Sequence, residues 1–336
     1  MSRDAASRQD GQKEGGRVVI EFQRNAAAGP VGIDARLADL LARSSRTFAL
    51  SIPLLEQPLR DEVTVAYLLF RIADTIEDEV DWPDGQRARV LRLFAAFLAG
   101  ENTTPAASAV LDEISGVEVA HEGYAKLMGD ALFVLDAYAA LDDAPREAIA
   151  AHLVRTSLGM ADQLESPGAP EDVRGAKHYC YAVAGIVGEL CTELFVLRNA
   201  SLARARNALV DLAPAFGEGL QLVNILRDEA ADAIEGRRFI PASDCRAELL
   251  ALAGDDLRAA GEYVRLLETH GASAGTVAFN ALNVALACET LSLVADRGAG
   301  VKVARERVTE LFEDIRARVA AAEPICPVLD RVLVSR

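Results

Sequence analysis

Tyr67-Leu68-Leu69-Phe70-Arg71-Ile72-Ala73-Asp74-Thr75-Ile76-Glu77-Asp78 reads as a helix with a single polar stripe. Tyr67, Arg71, Asp74 and Asp78 stand at offsets 0, 4, 7 and 11, which places all four on one helical face. The remaining positions are mostly apolar. A helix that is apolar on most sides packs among partners, so its polar stripe is expected to line a cavity. The pattern recurs far downstream: Gln221, Asn224, Asp228 and Asp232 fall at offsets 0, 3, 7 and 11, again among apolar neighbours (Leu220, Leu222, Val223, Ile225, Leu226). Carboxylates at i and i+4 repel, by roughly 4 kcal/mol at about 4 Å and an effective dielectric near 20. The bland alternative is a solvated acidic face. Two matched stripes in apolar surroundings point instead to a positive group held between them. Oxygen-only ligands on rigid helices suit Mg²⁺, which takes one or two carboxylates together with substrate phosphates.

Working outward, nearly everything after Pro30 reads as helix, and the fold class expected is all-α. Ala/Leu/Val-rich segments with helical periodicity, such as 125–140 and 146–163, are separated by Pro and Gly punctuation at Pro53, Pro58, 82–85, 100–105, 142–145, 166–170, 236–241 and 298–300. Residues 18–22 are a lone, weak strand candidate. Residues 1–30 are polar and Gly-rich and are expected to be disordered, leaving residues 31–336 as one domain. Bundles build metal and ligand sites from facing helices.

Composition narrows the partners. The 336 residues are 51% hydrophobic and carry a net charge of −16. That charge disfavours nucleic acid, whose phosphates need a basic face, and matches an anionic membrane poorly. Five cysteines without a CxxC pair suggest reduced thiols and no zinc site. No run of 18 uninterrupted apolar residues marks a membrane span. A cytoplasmic setting is therefore expected, with peripheral membrane contact as a further expectation. The sequence fixes no oligomeric state.

Four motifs, the two acid stripes among them, turn pattern into resemblance: Ser44-Ser45-Arg46-Thr47-Phe48; R-x-x-D-x-x-E-D at Arg71–Asp78; Y-C-x-x-V-A-G-x-V-G at Tyr179–Gly188; and Q-x-x-N-I-L-R-D-x-x-x-D at Gln221–Asp232. In this order and at this spacing the chain resembles the squalene/phytoene synthase family over residues 40–320. The resemblance implies an isoprenoid-synthase-type helical bundle around a central apolar channel, and two prenyl diphosphate substrates, farnesyl diphosphate first among them, joined head to head. It implies Mg²⁺ at Asp74, Glu77, Asp78, Asp228 and Asp232. Arg46, Arg71 and Arg227 become candidate phosphate clamps, although Arg71 and Arg227 each stand beside an acid and could be structural ion pairs. Ser45 and Thr47 could bind phosphate oxygens or cap a helix. Gln221, Asn224, Val183 and Gly188 join the substrate site. Gly188 is explained equally well by close helix packing. Phe48, Tyr67, Tyr179 and Phe279 are candidate aromatic faces for a carbocation, with Tyr179 near the first half-reaction.

The C-terminal third resembles the squalene synthase branch of that family. Ala278–Leu291 is followed by Gly300-Val301-Lys302-Val303-Ala304-Arg305. The resemblance implies an NADPH site at Lys302, Arg305 and Asn224, with no Rossmann fingerprint. Squalene synthase activity is thus the leading expectation, and an unreduced dehydrosqualene or phytoene product is the alternative. Two departures stand out: Asn283 where the branch has Pro, and Ala231 where many members have Glu. A non-catalytic relative acting as a scaffold would have shed several of these acids and arginines, which this chain keeps.

Overall fold

The computed structural model describes residues 33–79, 81–100, 107–116, 119–165, 170–241 and 245–333. The expected N-terminal segment 1–30 and the strand candidate 18–22 lie outside them. The described residues hold helices and no strand, and Gly32–Arg336 forms one compact unit.

The first acid stripe lies on Leu59–Glu77. Asp61 and Glu62 occupy its first turn, where carboxylates complement the helix dipole. Val65, Leu68, Leu69, Ile72, Ala73 and Ile76 are buried around it. The expected 125–140 segment is instead two helices, Glu122–Gly129 and Ala131–Ala139. They part at Asp130, whose carboxylate is held by Arg36 at 3.1 Å. Other breaks fall where the punctuation predicts: Asp84–Ala99 closes at Gly100 with φ +64°, and Ala274–Arg297 ends at Gly298 with φ +85°.

The second acid stripe lies on Arg206–Ile234, which runs through Pro214. This helix packs most extensively on Arg246–Thr269, and also on Ile186–Arg198 and Ala274–Arg297. Ala274–Arg297 is buried along most of its length and forms the bundle centre; its N-cap Ser273 accepts from the Thr276 N–H at 3.1 Å.

Three helical spans, Val173–Arg198, Arg206–Ile234 and Ala274–Arg297, are long and apolar enough to cross a membrane by length and composition. The expectation of no such segment counted uninterrupted runs only, and so missed spans in which a few polar residues are embedded. Of their most apolar windows 44%, 56% and 78% is buried inside the bundle, so neighbouring helices account for much of that apolar character.

Candidate active site

The two acid helices do not pack extensively on each other; a cavity lies between them. Its volume is about 200 Å³, and it opens to solvent at the mouth. Tyr67, Arg71 and Asp74 line it from one acid helix, and Gln221 and Asn224 from the other. Phe48, Phe279 and Asn283 contribute further walls.

Its third wall comes from the Tyr179–Gly188 motif. Val173–Cys180 passes into a turn of π-helix at Tyr181–Gly185 and then into Ile186–Arg198. Such bulges shift side chains off the regular helical register and are frequent at functional sites. Val183, Ala184, Val187 and Gly188 face the cavity. Close approach to the second acid helix explains the glycines here. A Cβ on Gly188 would stand 2.1 Å from the Ala213 carbonyl oxygen, and one on Gly217 would stand 1.9 Å from that of Ala184.

At the mouth, the side chains around the acids are already paired. Arg71 lies 3.3 Å from Asp74 and above the rings of Tyr67 and Tyr124, at 5.6 and 5.3 Å. Arg227 donates through Nε to Asp228 at 2.8 Å. Two of the three expected phosphate clamps, Arg71 and Arg227, are thus held by neighbouring acids, because the nearest carboxylate is their strongest available partner. Arg46 and Thr47 are exposed. Ser45 is a cap: its hydroxyl accepts from the Phe48 N–H at 2.9 Å. The Phe48 ring sits 5.2 Å from that of Tyr67, whose hydroxyl donates to the Ser44 carbonyl at 3.1 Å.

Burial and mutual repulsion shape the acids' protonation. Burial pushes Asp74 up to about 6, against the pull of Arg71 and with help from Asp78. Burial, with Asp78 and Asp74 close by, lifts Glu77 well above the ordinary range. Asp232 is also raised by burial, against Arg237. Tyr179 is lifted far above a normal phenol by burial and by Glu77, Asp78 and Asp74, so it keeps its proton. Its ring stacks on Phe239 at 4.8 Å.

One residue of this site escaped assignment from sequence. Arg237 donates to Asp78 on one acid helix and, at 2.9 Å, to Asp232 on the other. In the sequence, residues 236–241 read as Gly and Pro punctuation after the second acid stripe; their position against the first acid helix is a tertiary fact. The bridge puts a cation between the two motifs, and their donors are all oxygens. Among the described residues, no three Asp, Glu, His or Cys side chains converge closely enough to hold an ion alone. That donor set fits an ion sharing its coordination with substrate phosphates. Ala231 is exposed.

A sequence profile of the squalene/phytoene synthase family matches residues 41–248. The chain belongs to this family. Among curated members, the squalene synthase LSS of Botryococcus braunii is 31% identical over 196 residues, covering 57% of this chain and 38% of its own length. The squalene synthase ERG9 of Candida albicans is 31% identical over 210 residues, covering 61% of this chain and 45% of its own. These matches therefore span less than half of the relatives' length. A solved structure of TcSQS with a ligand superposes with a TM-score of 0.68 at 26% identity, covering 89% of this chain and 95% of the other. A dehydrosqualene synthase structure, at TM-score 0.55 and 19% identity, covers 86% of this chain and 97% of its own and shares the fold.

The 300–305 segment, expected from the resemblance to bind NADPH, lies against the second acid helix. The Gly300 N–H donates to the Arg227 carbonyl at 2.7 Å, which ties the 298–300 turn to the second acid helix. Lys302 and Arg305 follow it, both exposed. Asn224, the third residue expected there, lines the cavity instead.

Proposed function

We propose that this protein is a squalene synthase that joins two farnesyl diphosphates head to head and reduces the product. The observation that carries the reading is the pair of acid stripes facing each other across the mouth of a deep apolar cavity. Asp74, Asp78, Asp228 and Asp232, with Glu77 beside them, would hold Mg²⁺. When bound, the metal supplies positive charge that stabilises the departing pyrophosphate. Lys302 and Arg305 are exposed cations suited to the phosphates of NADPH, which would supply the hydride that ends the reaction.

The chain's own groups do the rest. Arg71, Arg227 and Arg46 exchange their present surroundings for diphosphate oxygens. The allylic C–O bond of one farnesyl diphosphate breaks and its electron pair leaves with pyrophosphate. The double bond of the second chain attacks C1 of the resulting cation, and transfer of a proton to the released pyrophosphate closes the cyclopropyl ring of presqualene diphosphate; its own C–O bond then breaks, the second pyrophosphate leaves with the electron pair, and the rearranged cation is what NADPH would reduce. Tyr179 keeps its own proton and can donate a hydrogen bond to a diphosphate oxygen. Phe48, Tyr67 and Phe279 offer ring faces to cationic carbon, while the apolar walls exclude water.

The test is product analysis by mass spectrometry after incubation with farnesyl diphosphate and Mg²⁺, with and without NADPH. Squalene formed only with NADPH is the expected result. A dehydrosqualene product regardless of NADPH would keep the condensation and reject the reduction. No consumption of farnesyl diphosphate, nor of geranylgeranyl diphosphate, would overturn the reading.

A further inference from the structure

The second acid helix ends in a reversal. Gly236 adopts φ +79°, and the Arg237 N–H donates back to the Asp232 carbonyl at 2.8 Å. This turn aims the Arg237 side chain over the last helical turn and across the cavity mouth. Its Nη2 donates to Asp232 at 2.9 Å and to Glu235 at 2.6 Å, and its Nη1 donates to Asp78 of the facing helix. One guanidinium therefore holds the terminal aspartates of both acid motifs, the carboxylates the proposed function gives to a divalent ion. A cation in that position and a metal ion on the same carboxylates exclude one another by charge. The arginine's Nε is buried without a hydrogen-bond partner, so part of its donor fork is still available. The same segment covers Tyr179: the Arg237 guanidinium lies 6.0 Å from the Phe239 ring, which stacks on Tyr179.

We propose that Arg237 is a built-in counter-ion of the acid motifs, displaced by the divalent metal and thereby handed to the substrate diphosphate. The inference rests on the reading of the acid motifs as a metal–diphosphate site. Before loading, Arg237 neutralises Asp78 and Asp232 and holds the two helices at working separation. When metal takes those carboxylates, the guanidinium loses its partners beside an incoming dianion, and its planar fork matches diphosphate oxygens bidentately. Metal alone then binds weakly, because it must displace a cation. Metal with diphosphate binds well, because the displaced cation finds a new partner.

Calorimetric titration of the full chain separates these steps, first with Mg²⁺ alone, then with inorganic pyrophosphate at saturating Mg²⁺. Arg237→Gln should bind Mg²⁺ alone at least fivefold more tightly than the wild type and pyrophosphate at least fivefold more weakly. Arg237→Lys keeps the charge and loses the fork; its Mg²⁺ affinity should stay within twofold of wild type while pyrophosphate still weakens. Unchanged or weaker Mg²⁺ binding by Arg237→Gln would overturn the displacement. Unchanged pyrophosphate binding in both variants would overturn the handover. A wild type that binds neither probe would overturn the proposed function as well. A wild type that binds both, with variants that match it, would overturn this inference alone.

Discussion

Tyr179 shows how much one side chain depends on its setting. Its ring is anchored by the Phe239 stack, and its hydroxyl is held neutral by burial and three nearby acids. Tyr179→Phe keeps the ring and removes only the hydroxyl. Turnover of farnesyl diphosphate should fall by about tenfold or more, the loss of one hydrogen bond to a charged oxygen, while the melting temperature moves by less than ~2 °C. Equal turnover would reduce Tyr179 to a packing residue. At the same scale the sequence named the acids and their order but left each arginine with two readings. The structure shows Arg71 and Arg227 paired to acids, which ligand binding must undo.

Among elements, the contact between the π-helical turn and the second acid helix is the tightest of the site. Gly217→Ala would drive a Cβ against the Ala184 carbonyl. Backbone cannot move aside as a side-chain tip can, so a loss of ~3 kcal/mol is expected in urea unfolding. The glycines of the Tyr179–Gly188 motif were legible as small residues, but their partner helix was not, because spacing along one segment says nothing about which segment faces it. Nearby, Lys177 joins Glu218 at 3.2 Å and Asp256 at 3.8 Å across three helices. Burial raises Asp256 to about 6, against Lys177. The native state thus holds a proton that the unfolded chain releases near its ordinary value of 3.8. Between those pH values the native state binds more protons, so this group's contribution to stability falls as pH rises from 4 to 6 and is flat above. Asp256→Asn should abolish that slope and raise stability at pH 7 by up to about 3 kcal/mol, read by unfolding at pH 4.5 and 7.

Across the whole molecule, the fold gathers residues scattered from Phe48 to Asn283 around one cavity. The link between the Gly300 N–H and the Arg227 carbonyl sets the Lys302 strap beside the second acid motif. Lys302→Ala should raise the KM for NADPH about fivefold or more, the loss of one charge-assisted bond. Consumption of farnesyl diphosphate without NADPH should be unchanged. Equal KM values would remove Lys302 from the cofactor's path. In the cavity wall, Asn283 is buried and donates to the Phe279 carbonyl at 2.9 Å and to the Ser51 hydroxyl at 3.3 Å.

The helical class, the two acid stripes and the family were determined by sequence alone. Helical periodicity and motif spacing are local properties, and a stripe of polar residues among apolar ones implies a cavity wherever its helix packs. Only the tertiary structure decided that the stripes face each other, that Ser45 is spent on a cap, and that Arg237 ties Asp78 to Asp232. Those facts depend on which helices become neighbours and on the turn at Gly236, and such long-range contacts leave no periodic mark in the chain.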